Sequence, residues 1–414
     1  MVVPGVPAPL IQALVAAAQG ARLALVGGAV RDLLLHHQHR DPWRGLPDLD
    51  LVVEGQASDL VARLPRLLPH GSTCSWREHG SFGTVAVELD LPESGPWLLD
   101  IASARRETYS APGANPVVSL GRLEDDLARR DFSVNAIAWL LLDPAAEPAP
   151  LLDPHQGQQD LERRRLRLLH DASLVDDPTR LVRAARYAAR LNFQLDPGSC
   201  EQARRVIQAW PWAWHMGDPA QQTPPALGTR LRMELELLLE REPWRAALQQ
   251  LQAWGGLALL DPGLQRSSTW AMALQRAARL QLPPLAVLVA CADGPVALAA
   301  RLQLPHRQQQ WLKGLMLMRS QLQVLEPDQR AGWGAAQWTD WLERQSDPAA
   351  VVALALACGD RPRRPLLRWW LLWRHVQPVQ TARDLMAMGV PPGPALGARL
   401  RELRAQRLSA LDPV

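Results

Sequence analysis

Apolar residues in the first 140 positions come in short runs separated by polar and glycine-rich turns. The runs Leu23–Val26, Leu49–Val53, Thr84–Leu89 and Trp97–Ile101 have the length and aliphatic content of strands, with helical spacing between them. Beyond about residue 141 the strand-like runs fade. Apolar residues then recur at helical spacing over 159–169, 178–192, 226–255, 266–280 and 284–302. The same spacing returns over 307–325, 334–345, 348–357, 364–376 and 396–408. Proline and glycine mark the breaks, and 210–225 and 359–365 read as loops or linkers. No short-period repeat is present, so a solenoid is not indicated. The expected class is α+β, with a mixed head over 1–140 and an all-α remainder divided into 141–245 and 246–414.

Composition narrows this picture slightly. A chain of 414 residues holds two to three domains at about 150 residues each. With 47% hydrophobic and 21% charged residues, wholesale disorder is excluded. No apolar run reaches the roughly 18 residues of a membrane span, and the N-terminus lacks the basic region of a signal peptide. Cys74, Cys200, Cys291 and Cys358 are widely spaced and form neither a disulfide framework nor a metal knuckle, which predicts a cytoplasmic location. The net charge of +3 selects no partner. Lys313 is the only lysine, a bias that GC-rich codons explain, and arginine equally suits phosphate and base contacts.

Three features carry candidate chemistry. The strand Leu23–Val26 runs into Gly27-Gly28 and a helical pattern, where backbone N–H groups and a helix dipole can meet a phosphate. Arg31, one turn in, can add a bidentate contact. Downstream, Asp48 and Asp50 alternate with Leu49 and Leu51, so both carboxylates face one side of a strand with Cα atoms about 6.6 Å apart. Such a pair suits Mg²⁺, which takes oxygen ligands and leaves room for substrate phosphates. Asp100 lies in the hydrophobic run Trp97–Ile101, where a carboxylate is costly unless it completes the metal cluster or pairs with an arginine.

Taken together, Leu25 to Asp32, Asp48-Leu49-Asp50 and Arg129 to Ala136 resemble the class II tRNA nucleotidyltransferases. That group comprises CCA-adding enzymes and bacterial poly(A) polymerases of the polymerase-β superfamily. Asp153, Gly157, Asp160 and Leu161 resemble the family's hinge motif, Asp176 to Tyr187 its base-selecting helix, and Thr229 to Leu235 its last structural motif. The segment from Arg383 to Gly397 resembles its C-terminal element. The resemblance implies a polymerase-β-like nucleotidyltransferase head followed by an elongated all-α neck, body and tail. It also implies CTP and ATP as substrates with Mg²⁺, and the tRNA 3′ end and acceptor region as partner, with no membrane and no DNA. Catalysis falls to Asp48, Asp50 and Asp100.

The residues fit that chemistry. Arg130 can hold a triphosphate while Asp131 and Asn135, at i and i+4, reach ribose hydroxyls. Asp177 and Arg180 share a helix face. A carboxylate beside a guanidinium accepts cytosine and adenine, which present an amino group next to a ring acceptor, and rejects uracil and guanine. Arg183 and Arg186 continue the stripe toward phosphates, or form a solvated face. In the last third, Arg361, Arg363, Arg364, Arg368 and Arg374 interleave with Trp369, Trp370 and Trp373, a pattern suited to RNA, with the tryptophans expected in the core.

Two departures stand out. Nineteen residues, Ala29 to Pro47, separate Gly28 from Asp48, which is longer than the family's usual span, and Leu35 to Trp43 reads as a His-rich loop insertion. Asp176 replaces the glutamate of many members and keeps the carboxylate. The leading reading is CCA addition. A split CC- or A-adding enzyme and a poly(A) polymerase are the alternatives, and an inactive RNA-binding relative is a distant one. The segment Ala104–Val118 reads as the full-length loop that the family needs for switching to A, which disfavours a CC-only enzyme lacking it. No basic-aromatic poly(A) polymerase signature adjoins Asp48, and His170-Asp171 is too isolated for an HD phosphohydrolase.

Overall fold

The computed structural model describes residues 6–43, 49–79, 83–92, 94–141, 151–326 and 330–411. Asp48 lies outside the described residues. The chain forms two compact units, one of 1–213, 224–226 and 242–255, the other of 214–223, 227–241 and 256–414.

The first unit is built on a seven-stranded mixed sheet. Its strands are β1 (Leu23–Val26), β2 (Leu49–Val53), β3 (Thr73–His79), β4 (Thr84–Leu91), β5 (Gly95–Ser103), β8 (Ala138–Leu141) and β9 (Leu151–Leu152). Their order is β3-β4-β5-β2-β1-β8-β9. Within this sheet, among the described residues, only β2 and β5 pair in parallel, which sets Asp50 opposite Asp100. The strands β6 (Arg105–Tyr109) and β7 (Pro116–Leu120) form a separate antiparallel hairpin.

Period-two alternation gives the sheet two apolar faces. Leu49, Leu51, Val85, Val87, Leu99 and Ile101 are buried on one of them. The helices α2 (Gly28–His39) and α3 (Ala57–Arg63) pack on these strands, and α1 (Ala8–Ala18) packs on α3. On the other face Ala24, Val26, Val52 and Ala138 form one cluster with Leu123 and Leu127 of α4 (Leu123–Ala128). This cover stops short of Asp100, which is exposed, and Leu98 two residues earlier is 67% exposed.

The helical segments follow the expected spans, with breaks where the backbone demands them. The span 159–169 holds α5 (Gly157–Glu162) and a short strand, Arg165–Leu166, paired in parallel with Gln194–Leu195. The helix α6 (Ser173–Asp176) precedes α7 (Thr179–Leu191), which closes at Asn192 in the left-handed region (φ 57°). Residues 197–209, missing from the expected helices, form α8; Asp196 accepts from the N–H groups of Gly198 and Ser199, and Pro197 occupies the first turn. The expected 226–255 segment divides at Glu242-Pro243 into α9 (Thr229–Arg241) and α10 (Trp244–Ala253), because proline ends a helix before it. For the same reason 284–302 divides into Pro284–Ala290 and Pro295–Arg301.

In the second unit these helices are followed by His306–Val324, Ala335–Leu342, Pro348–Cys358, Arg363–Leu371, Ala382–Ala387 and Pro394–Ser409. The all-apolar helix Pro348–Cys358 is buried along most of its length. Trp369 and Trp373 are buried, as expected, while Trp370 lies under the Arg374 guanidinium at 3.7 Å. Among the described residues no helix is long and apolar enough to cross a membrane.

Candidate functional site

The turn after β1 places the first site residues. Gly27 caps α2 with φ 72° and ψ −139°, a conformation that a side chain resists. A Cβ there would lie 3.2 Å from Arg130 Nη1 and 3.4 Å from Asp50 Oδ2. Gly27, Arg130 and Asp50, distant in sequence, therefore meet at one point. Gly28 opens the helix itself, and a Cβ there would make ordinary contact with the Arg31 guanidinium at 3.4 Å.

Arg130 is held from behind by α4. Asp126 is fully buried; its Oδ2 accepts from Arg130 Nη2 (2.9 Å) and its Oδ1 from Arg129 Nε (2.9 Å) and Nη2 (2.7 Å). Burial opposes the charge on Asp126, but Arg130 and Arg129 prevail and hold its carboxyl below the usual carboxylate range. Arg129 also donates to Glu107 Oε1 on β6 (3.1 Å), which Arg105 shares at 2.9 Å. Tyr109 donates to the other Glu107 oxygen (3.2 Å), and burial together with that negative charge pushes its hydroxyl up to about 12. Most of Ala104–Val118, the expected loop, thus belongs to the β6–β7 hairpin, which charge-assisted bonds tie to α4 and to Arg129 at its end. Polar side chains carry this contact, so it leaves no hydrophobic signature.

Arg31 and Asn135 form a neighbouring network. Arg31 is buried: it donates to Asp32 (2.8 Å) and to Asn135 Oδ1 (2.8 Å), with its guanidinium 5.4 Å from the centre of the Tyr187 ring. Asn135 donates to Asp131 Oδ1 (3.1 Å), and Arg183 lies 2.8 Å from Asp131 Oδ2. Burial opposes the Asp131 charge, yet Arg183 and the Asn135 bond keep its carboxyl low. Asp131 and Asn135 meet as expected, although not on an α-helix: α4 ends at Ala128 and 133–135 is a single 3₁₀ turn. Arg186 is not on a solvated face, since it lies 3.4 Å from the buried Glu242.

Asp177 and Arg180 stand at the start of α7. Asp177 Oδ1 accepts from the Thr179 N–H (3.0 Å) and hydroxyl (2.6 Å), which fixes the first turn. Arg180 is buried; its Nη2 donates to the Arg129 carbonyl (2.9 Å), and its Nη1 has no hydrogen-bond partner among the described residues. Both residues act electrostatically on Tyr109. A buried guanidinium nitrogen without an acceptor is costly unless a ligand supplies one.

Asp100 departs from its expected setting. Its carboxylate is exposed on the uncovered sheet face, not embedded in the core, and among the described residues it makes no ion pair. The His-rich stretch is a loop only in its second half: His36, His37 and His39 form the last turn of α2, while 40–43 are neither helix nor strand and Asp41 there pairs with Arg164. Among the described residues no group of three His, Cys, Asp or Glu side chains is placed to hold a metal. In the second unit Arg361, Arg363, Arg364 and Arg368 are all exposed.

Sequence reading missed Glu107, Tyr109 and Asp126. The spacing of Asp126 from Arg129 and Arg130, three and four residues, was the available signal for one of them.

Comparison with known proteins places this geometry. Residues 23–167 match the family model for the poly A polymerase head domain. The chain is 36% identical to a CC-adding tRNA nucleotidyltransferase of Deinococcus radiodurans, over 94% of this chain and 85% of that protein. It is 31% identical to an A-adding tRNA nucleotidyltransferase of Halalkalibacterium halodurans, over 90% of this chain and 81% of the relative. Among solved structures, a CCA-adding enzyme in apo form superposes with a TM-score of 0.71 at 22% identity, covering 98% of this chain and 93% of that one. The Thermotoga maritima CCA-adding enzyme complexed with tRNA gives 0.66 at 22% identity, covering 100% and 94%. The chain belongs to the tRNA nucleotidyltransferases that carry a poly(A) polymerase head.

Proposed function

We propose that this chain extends the 3′ end of tRNA with C, A or both, from CTP and ATP, without a nucleic-acid template. The observation that carries the reading is the meeting of Gly27, Arg130 and Asp50 beside an open sheet face that also bears Asp100. In this reading the triphosphate lies against the Gly27-Gly28 turn and Arg130, and the base stacks toward Asp177 and Arg180. Arg180 Nη1, without a partner among the described residues, is the donor that a ring nitrogen or carbonyl would accept from. Arg31, Asp131, Asn135 and Arg183 brace this arrangement and present its ribose side, and Arg186 fixes the outer end of the same helix.

The reaction forms a bond from the RNA 3′-oxygen to the α-phosphorus and breaks the bond from that phosphorus to pyrophosphate, with release of the hydroxyl proton. Two carboxylates abreast on adjacent strands, Asp100 exposed and Asp50 half-buried, fit Mg²⁺ as hard oxygen donors. Asp50 and Asp100, with Asp48, would hold it, and when bound it neutralises phosphate charge and makes the 3′-hydroxyl more acidic. Asp126 keeps Arg130 pointed at the Gly27 turn throughout.

The proposed division of labour assigns catalysis to 1–140, base selection to 141–245 and tRNA binding to 246–414, where Arg361, Arg363, Arg364 and Arg368 meet RNA phosphates in the cytoplasm. A CC-adding enzyme is a second reading, favoured by the 36% identity to such a relative across 94% of the chain. Incubating tRNA that ends before CCA with labelled CTP, with ATP, and with both separates the readings. Incorporation of C alone with no further gain from ATP supports CC addition, and no incorporation from any mixture, with tRNA ending in CC tested as a second substrate, refutes both.

A further inference from the structure

Strand register carries a row of residues across the open face. Arg77 on β3 pairs with Ala86 on β4, Ala86 with Asp100 on β5, and Asp100 with Asp50 on β2. Residues directly opposite in a sheet share a face, so Arg77 stands on the same side as both acids. Burial agrees with this parity: Val85, Val87, Leu99 and Ile101 are buried on the other side, while Arg77 and Asp100 are exposed. Two strand spacings put Arg77 about 10 Å from Asp100. The residue between them is an alanine, so no bulk interrupts the path. Arg77 makes no ion pair among the described residues, and Leu98, near the row, keeps 67% of its surface in water.

Direction gives this row a meaning. Gly27 and Arg130 lie on the β1 side of Asp50, and β5, β4 and β3 extend to the opposite side. Phosphoryl transfer places the attacking and leaving oxygens in line, on opposite sides of the phosphorus. A triphosphate held at Gly27 and Arg130 therefore leaves the RNA 3′ end to approach over β5 and β4. We infer that Arg77 is a primer-binding residue, gripping a backbone phosphate near the RNA 3′ end through its planar guanidinium, with Leu98 and Ala86 as the apolar floor. The inference rests on the nucleotidyltransferase reading of the Gly27 turn. The rival role is a charged guard that keeps the edge strand β3 from pairing with other chains.

Full-length wild type, Arg77→Ala and Arg77→Lys are compared with tRNA ending before CCA. Steady-state incorporation is measured with RNA varied at saturating CTP and with CTP varied at saturating RNA, and RNA binding is measured by fluorescence anisotropy across a salt series. Loss of one phosphate contact should raise the KM and Kd for RNA about tenfold and flatten the salt dependence by about one unit of slope. The KM for CTP should stay put, and lysine should recover part of the loss. Unchanged RNA affinity and salt slope in Arg77→Ala overturn the inference, more so if that variant aggregates, as an edge guard predicts. A rise in the KM for CTP alone also overturns it, by moving Arg77 to the triphosphate side. Absence of turnover in the wild type would sink the functional reading instead, and the anisotropy comparison would still decide the fate of Arg77.

Discussion

Replacing Asp126 with alanine removes a fully buried carboxylate that two guanidinium groups share. Taking one partner from a buried ion pair costs about 3–5 kcal/mol, because the remaining charge loses its compensation. Arg129 and Arg130 keep 19% and 16% of their side-chain surface in water, so the lower end, about 3 kcal/mol, applies here. For a unit of this size that lowers its melting temperature by roughly 6–12 °C. The pH dependence follows from the depressed carboxyl of Asp126. Its contribution is complete above the unfolded-state pKa of about 4 and is lost as pH falls through the lower folded value, so the deficit of the variant should be largest at neutral pH and shrink below about pH 4. Function should suffer too, since Arg130 loses the bond that aims it at the Gly27 turn: the KM for CTP and ATP should rise together. Asp126→Asn, which keeps the shape without the charge, should fall between. Calorimetry from pH 3 to 7 with nucleotide KM values at neutral pH checks this. A variant that melts like the wild type at pH 7 and binds nucleotide equally well would refute the assigned role of the network.

Gly27→Ala should raise the KM for CTP and ATP and cost about 1–3 kcal/mol in stability, from its left-handed backbone and the crowding of Arg130, whereas Gly28→Ala should be mild. Equal effects in kinetics and urea unfolding would show that the turn is not strained where the geometry says. Asp177→Ala should lose about 1 kcal/mol of helix capping and, separately, about 1–3 kcal/mol of discrimination against UTP and GTP. The kcat/KM for all four nucleotides, taken alongside melting curves, distinguishes these; a destabilised variant that still excludes UTP and GTP reduces Asp177 to a cap.

The strands that form the core of the head could be read from the sequence because burial imposes a pattern. Leu23–Val26 and Leu49–Val53 match their observed boundaries, since each is apolar on at least one full face. The edge strand β3 was missed because its residues are nearly all exposed and no alternation is enforced. Polar β6 was missed for a related reason: Arg105, Glu107 and Tyr109 hold it through charge and hydrogen bonds, which periodicity does not register. Asp100 misled through its neighbours, because Leu98 beside it looks like core and is mostly in water. At the site, the motifs gave the residues but not their partners. That Arg31 would be spent on Asp32 and Asn135, and that Asp177 would bond Thr179, depended on contacts that only the folded chain defines. Helix α8 was lost to its Pro197-Gly198 start, which reads as a break and is instead a capped first turn.

In the proposed function the Asp50 face performs nucleotide addition to tRNA. Its most direct test is incorporation of labelled CTP and ATP into tRNA ending before CCA, by wild type and by Asp50→Ala, with tRNA binding of both proteins measured in parallel. The wild type should extend the RNA in the presence of Mg²⁺. Asp50→Ala should bind the same RNA but extend it slower by orders of magnitude. Extension by Asp50→Ala at the wild-type rate would remove Asp50 from the chemistry.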